Sequence, residues 1–342
     1  MTPRRLGARA AGVEDDDFDE FDRASGYSRP RTKTRPDYSA TPQGRVLGVD
    51  RGRFDVELAQ PAAGGDTVRA IKARALGRKS VVVGDFVRLA GDASGSPGSL
   101  ARIVEVLPRT SLLRRSADDA DPKERPLVAN VDQLMIVVAA ADPTPRIGMI
   151  DRLIVAASVA GVRPVILVTK TDLAEPGEIA AAYADLGIPV LATRRGAGLE
   201  PIEALLRGRT TVLVGHSGVG KSTLINALVP GARRSTGHVN DVTGKGRHTS
   251  SSAIALALGT GSWVIDTPGV RSFGLAGVSS DAIVAAFPDI ADIARDCPRG
   301  CPHLTGAPEC ALDAAVADGR LAPARLASLR RILGALTASL DW

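Results

Sequence analysis

The stretch from Leu213 to Thr223 reads LVGHSGVGKST, a glycine-rich turn between an apolar run, TTVLVG, and a helical one, STLINALV. No other feature constrains the fold so tightly. Backbone N–H groups close around phosphate oxygens where a strand delivers the chain to such a turn and a helix carries it away. The loop also arrives late, because 119 residues follow Thr223 in a chain of 342. A nucleotide-binding domain wound in the usual order needs about that much chain beyond the loop merely to reach its base-recognition motif. The other half of the domain must therefore lie upstream.

Each position of the loop has a chemical reason. Gly215 permits the sharp turn out of the strand, and Gly218 and Gly220 let the backbone approach an anion, with His216, Ser217 and Val219 completing the turn. Lys221 supplies a point charge for β- and γ-phosphates, and the Ser222 hydroxyl, followed by Thr223, is placed to ligate Mg²⁺. Asp266-Thr-Pro-Gly269 closes the apolar run SWVID, 45 residues after Lys221. A carboxylate at that strand tip holds Mg²⁺ through water, and the Gly269 N–H meets a γ-phosphate. Between them, residues 233–252 are polar, contain glycine and lack periodicity, the composition of a switch loop ordered by γ-phosphate and Mg²⁺. Thr249, with Ser250 as the alternative, is the candidate hydroxyl that senses Mg²⁺.

A guanine-selective motif requires a carboxylate at a strand tip, and nothing after residue 223 supplies one in an Asn-Lys-x-Asp pattern. Upstream, VILVTKTD ends in Thr169-Lys170-Thr171-Asp172. The Asp172 carboxylate accepts from the N1–H and N2–H₂ donors of guanine, a pair that adenine does not offer. The Lys170 stem packs over the base. The loop LATRRGAG, residues 191–198, follows another apolar run and is suited to close over the base. The chain order is base motif, base-closing loop, phosphate loop, switch, DTPG. That is a guanine-nucleotide domain cut and rejoined elsewhere, with its junction at residues 198–209. Its six apolar runs (131–140, 163–169, 188–193, 210–215, 253–258 and 262–266) alternate with helical stretches, which implies a mostly parallel sheet covered on both faces.

The flanks are of a different kind. Residues 1–42 carry equal numbers of basic and acidic residues without hydrophobic periodicity, and read as a disordered tail. Residues 43–115 hold five short β-type runs and thirteen basic against seven acidic residues, a net +6 that accounts for all of the chain's +5. Five strands in so short a segment suit an oligonucleotide-binding barrel. The charge suits either a polyanion partner or an ordinary solvated surface. Residues 116–285 are expected to form the nucleotide domain, and 286–342 a helical module holding all three cysteines. Cys297, Cys301, His303 and Cys310 offer three thiolates and an imidazole within 14 residues, a tetrahedral set for one Zn²⁺. A disulfide would leave one thiol over. No apolar run reaches membrane-spanning length, and no signal peptide is evident, so a cytoplasmic protein without membrane contact is expected.

The ordered set of basic barrel, TKTD, GHSGVGKST, GKGRHTS, DTPGVRSFG and Cys/His knuckle resembles the circularly permuted, ribosome small-subunit-dependent GTPase A family over about residues 43–340. The chain departs from it at Thr169, where Asn is usual, at Ser250 and at Thr193. The first departure predicts a weaker hydrogen-bonded tie around the base. Val270 stands where small GTPases often place a water-orienting Gln, so another group must orient the attacking water, and the resemblance implies His248. It further implies GTP and GDP as ligands, Mg²⁺ as cofactor, and a monomer that binds the 30S subunit and its 16S rRNA, gripping it partly through the zinc module. Hydrolysis then drives release during late small-subunit assembly. Two other readings remain: a nucleotide-gated RNA-binding module with negligible turnover, and a permuted GTPase serving another ribonucleoprotein.

Overall fold

The structure, a computed structural model, describes residues 37–62, 64–77, 80–116, 124–184, 186–230, 253–259, 261–267, 278–285 and 287–337. Five strands come first: β1 Gln43–Asp50, β2 Arg53–Ala62, β3 Gly65–Lys72, β4 Phe86–Gly91 and β5 Ala101–Val106. They pair in the order β1-β2-β3-β5-β4, and β4 returns to β1, closing a barrel. Alternation builds its core. Phe54, Val56 and Leu58 point inward from β2 and meet Val46, Val68, Val87, Leu89 and Ile103. A hairpin of β6 Leu112–Ser116 and β7 Glu124–Ala129 follows. Sequence reading missed it because Leu113 and Val128 are buried apolar side chains set among charged residues, too faint an alternation to register.

The nucleotide domain comprises β8 Gln133–Ala139, α1 Ile147–Val159, β9 Arg163–Thr169, α2 Gly177–Ala184, β10 Val190–Ala192, α3 Glu200–Leu206, β11 Thr210–Val214, α4 Lys221–Leu228, β12 Ile254–Gly259 and β13 Ser262–Asp266. Its strands lie in the order β10-β9-β8-β11-β13-β12. All neighbours run parallel except β12 with β13. The strand that feeds the phosphate loop, β11, therefore sits at the centre, beside a strand encoded far upstream. This is the permuted sheet expected from the motif order. Strands β8 and β11 are buried along their whole length, as both-face coverage requires.

Barrel and sheet are not separate layers. Strand β1 pairs antiparallel with β12 through Gly48 and Ile254, so the barrel continues the sheet at that edge. Arg45 of β1 reinforces the seam. Its buried guanidinium lies 5.4 Å from the Phe86 ring and 5.0 Å from the Trp263 ring, and Nη2 donates to Thr210 Oγ1 at 2.8 Å.

The C-terminal helices are α5 Ser280–Ala285, α6 Pro288–Ala294, α7 Ala311–Ala317 and α8 Pro323–Thr337. Their apolar side chains, among them Ile283, Leu312, Leu329 and Ile332, join Ile150, Leu153 and Ile154 of α1 in one continuous core. A buried polar cluster pins α8 to the nucleotide domain. Asp151 of α1 accepts from Tyr183 Oη of α2 at 2.8 Å and from Arg331 Nε at 3.0 Å. Arg331 also donates to Ala182 O at 3.2 Å, and its guanidinium lies 5.1 Å from the Tyr183 ring. Among the described residues no helix is long and apolar enough to cross a membrane.

Candidate functional site

The phosphate loop leaves the buried end of β11, where Leu213 stands in register with Met135 on one side and Asp266 on the other. A Cβ at Gly215 would lie 2.3 Å from Val137 O, so only glycine lets the chain turn against β8. Gly218 and Gly220 take φ of +86° and +92°, and Gly220 leads directly into α4. No side chain caps that helix, which leaves its first N–H groups facing the loop. Lys221 Nζ lies 2.6 Å from Asp266 Oδ1, and Thr267 Oγ1 donates to Leu213 O at 2.9 Å. The ammonium and the carboxylate expected to face phosphate and Mg²⁺ are thus side by side. Ser222 and Thr223 are exposed at the start of α4, and His216 turns its ring Nδ1 to Ser217 O at 3.0 Å. The loop fits a polyphosphate by its uncapped helix start, its two left-handed glycines and its lysine. His248, Thr249, Ser250 and Gly269 lie outside the described residues.

The base motif stands at the tip of β9, two strands from β11. Thr169 is buried, and its Oγ1 lies 2.5 Å from Val219 O of the phosphate loop and 3.1 Å from Val138 O. The hydrogen-bonded tie that its departure from Asn was expected to weaken is therefore present, made by a hydroxyl in place of an amide. Lys170, with φ +55°, donates its ammonium to Asp142 O in the segment after β8. Thr171 donates through N at 3.3 Å and through Oγ1 at 3.2 Å to Thr193 O of the base-closing loop. Asp172 is exposed next to them. The structure so brings together segments 50 residues apart in reversed order. Sequence reading missed Asp142 and Pro143 on this side. Pro143 Cδ would stand 3.8 Å from a Cβ at Gly218, and the lone pointer in the sequence was a proline-bearing turn after an apolar run.

The four zinc-type ligands also converge. One donor atom from each of Cys297, Cys301, His303 and Cys310 falls within 4.8 Å of all the others. Cys297 Sγ is 3.5 Å and Cys310 Sγ 4.0 Å from His303 Nδ1. A tetrahedron built on Zn–S and Zn–N bonds has edges of about 3.5–3.8 Å, so the cluster fits such a cation. The Ala311 N–H donates to Cys297 Sγ at 3.2 Å, and Arg330 Nε donates to His303 O at 3.1 Å, fixing both ligands from outside. Burial pushes the Cys297 thiol up to about 11 and holds the His303 imidazole below its usual range. The imidazole is thereby kept neutral and ready to ligate, whereas a cation must displace a firmly held thiol proton.

Comparison with known proteins places these sites in context. The model of the RsgA GTPase family matches residues 106–276. The small ribosomal subunit biogenesis GTPase RsgA of Ectopseudomonas mendocina is 42% identical over 243 residues, covering 68% of this chain and 70% of that protein. The protein of the same description from Gemmatimonas aurantiaca is 39% identical, covering 75% and 85%. Among solved structures, YjeQ from Thermotoga maritima superposes with a TM-score of 0.64 at 27% identity, covering 86% of this chain and 98% of that one. YloQ, described as a circularly permuted GTPase, gives a TM-score of 0.63 at 25% identity, covering 89% and 98%.

Proposed function

The chain belongs to the RsgA GTPase family, and we propose that it binds the small ribosomal subunit and hydrolyses GTP to time its own release during late subunit assembly. The observation that carries this reading is the bond from Thr169 to Val219 O. It joins a guanine-reading tip to a phosphate-binding turn, and the two then act on one nucleotide.

In this reading the loop from Gly215 through His216, Ser217, Gly218, Val219 and Gly220 to Thr223 wraps the phosphates with backbone N–H groups. Lys221 faces the β- and γ-phosphates, and Ser222 and Thr249, with Asp266 through water, would hold Mg²⁺, which would neutralise charge on the phosphates. Gly269 presents its N–H to the γ-phosphate, and His248 orients the attacking water. Asp172 accepts from the base while Lys170 covers it. The base-closing loop is held by Thr171. A single Zn²⁺ on Cys297, Cys301, His303 and Cys310 staples the C-terminal module. The barrel, which carries the chain's excess of basic residues, meets 16S rRNA. A ribosomal partner of this kind puts the protein in the cytoplasm.

Turnover measured with and without purified 30S subunits tests the proposal. Strong stimulation by 30S subunits alone supports it. Equal stimulation by any structured RNA transfers the activity to another ribonucleoprotein, and tight GTP binding without turnover reduces the protein to a nucleotide-gated RNA-binding module. Asp172→Asn removes an acceptor for two guanine donors, and GTP-over-ATP preference should fall by about 5- to 150-fold. Unchanged preference refutes the assignment of Asp172.

A further inference from the structure

Two consecutive arginines of α8 serve different neighbours. Arg330 Nε donates to His303 O at 3.1 Å, and its Nη2 donates to Asp313 Oδ2 at 2.7 Å. Arg331 donates to Asp151 Oδ2 at 3.0 Å and to Ala182 O at 3.2 Å, both in the nucleotide domain. Side chains one residue apart on a helix point about 100° apart, so a single turn of α8 grips both neighbours. The helix that presents Arg330 is therefore held from outside the Cys/His loop.

The two acceptors of Arg330 belong to opposite ends of that loop. His303 is buried, offers a ligand atom to the cluster, and holds φ at 56°. A non-glycine residue keeps that conformation where its surroundings fix it, and Arg330 fixes its carbonyl. Asp313 lies in the first turn of α7, which starts from Cys310, and the Asp313 N–H donates to Cys310 O at 3.0 Å. One guanidinium thus joins both ends of the stretch 303–310, and each end is a ligand. Asp313 and the Cys310 sulfur both act on its charge.

We propose that Arg330 is a positioning residue for the metal cluster. Its fork fixes His303 against the start of α7, and its charge offsets the net negative charge of a divalent cation held by three thiolates and one imidazole. The inference rests on the Zn²⁺ reading given above. Arginine suits the task because its planar fork reaches two acceptors at once, whereas lysine offers a point charge. The cluster is then completed by a helix beyond the loop that carries its ligands, and that helix is anchored on α1 and α2.

Zn²⁺ affinity of the full chain, measured by competition with a chromophoric chelator, tests this. The parent is expected to bind one Zn²⁺. Arg330→Met should weaken binding by about 10- to 100-fold, the usual loss when an outer partner of a metal ligand is removed. The substitution strands no buried charge, because the Asp313 side chain is 47% exposed. Arg330→Lys keeps the charge without the fork and should recover only part of the loss. Arg325→Met removes another arginine of α8, one paired with Asp289 of α6 at 2.7 Å, and should leave the affinity near that of the parent. With Co²⁺ as the probe, the visible d–d bands report ligand geometry. They should shift in Arg330→Met and match the parent in Arg325→Met. A loss under about tenfold in Arg330→Met overturns the inference. Full recovery in Arg330→Lys, unmoved bands in Arg330→Met, or an equal loss in Arg325→Met does so too. A parent chain that binds no Zn²⁺ would instead sink the reading of the cluster itself, a separate result.

Discussion

Removal of the cation proposed for Cys297, Cys301, His303 and Cys310 is expected to abolish amide-exchange protection from about residue 297 to 322, while β8, β9 and β11 keep theirs. Between α6 and α7 the chain has no helix or strand to hold it. His303 and Glu309 both sit at positive φ, 56° and 54°, a conformation that costs about 1–3 kcal/mol at each non-glycine residue. Ligands apart, the buried side chains of this stretch are only Leu312, Ala315 and Leu321, at the margin of the continuous core. Structural zinc contributes about 10–16 kcal/mol of apparent binding energy in small modules, far more than such a core supplies. Helix α8 should soften less, because it still packs on α1 and keeps the Arg331–Asp151 pair. The high-lying Cys297 thiol adds a pH dependence, since acidification lets protons compete for the sulfur. Exchange measured by mass spectrometry, with metal content assayed on the same sample, decides the matter. Full protection in a chain shown to be free of metal would remove the stapling role, and Cys301→Ser should reproduce the effect of chelation.

Arg331→Met is expected to destabilise the protein by about 3–5 kcal/mol, because it leaves the Asp151 carboxylate buried without its cation. Asp151 is 1% exposed, and the guanidinium that covers it is the charge that compensates it. Burial already holds its carboxyl above the usual range, against the opposing pull of the Tyr183 hydroxyl and Arg331. The same burial, with Asp151 alongside, pushes the Tyr183 phenol far above its ordinary value. The sign of the pH effect follows. A carboxyl whose folded value is raised stabilises the fold below its unfolded value of about 3.9, and that contribution is lost as pH rises through the folded value. Deleting Arg331 raises the folded value further. The deficit relative to the parent should therefore be largest at neutral pH and shrink as pH falls towards the unfolded value. Urea denaturation across that range measures it. Asp151→Asn combined with Arg331→Met should recover much of the loss, since no charge then remains buried. A deficit independent of pH would assign the effect to packing of the arginine stem.

The two results would bear on one architecture. The C-terminal module follows Asp266 and the DTPG motif in the chain, and it is pinned at its far end to α1 and α2, the helices next to the base motif. It therefore packs on α1 and α2 and is tied to them by an ion pair whose carboxylate is buried.

Much of this protein is legible in the linear chain. The phosphate loop and the Cys/His knuckle are local, and their chemistry is set by residue type and spacing over 11 and 14 residues. The strands of barrel and sheet follow from alternating or continuous apolar runs. The permutation is legible as well, because each motif announces its place in the domain whatever its place in the chain. The hairpin of β6 and β7 was not, since charged residues outnumber the buried ones that mark it.

By itself, then, the sequence determined the elements, the motifs, their order and the ligand chemistry that each residue type allows. Tertiary structure alone decided which elements meet: β1 against β12, Arg45 with Thr210 across 165 residues, Arg331 with Asp151 across 180, and Thr169 with Val219 across 50. The reason is physical. Apolar periodicity records that a face is buried but not against what, and a polar side chain records what it can donate or accept but not which partner folding will bring within reach.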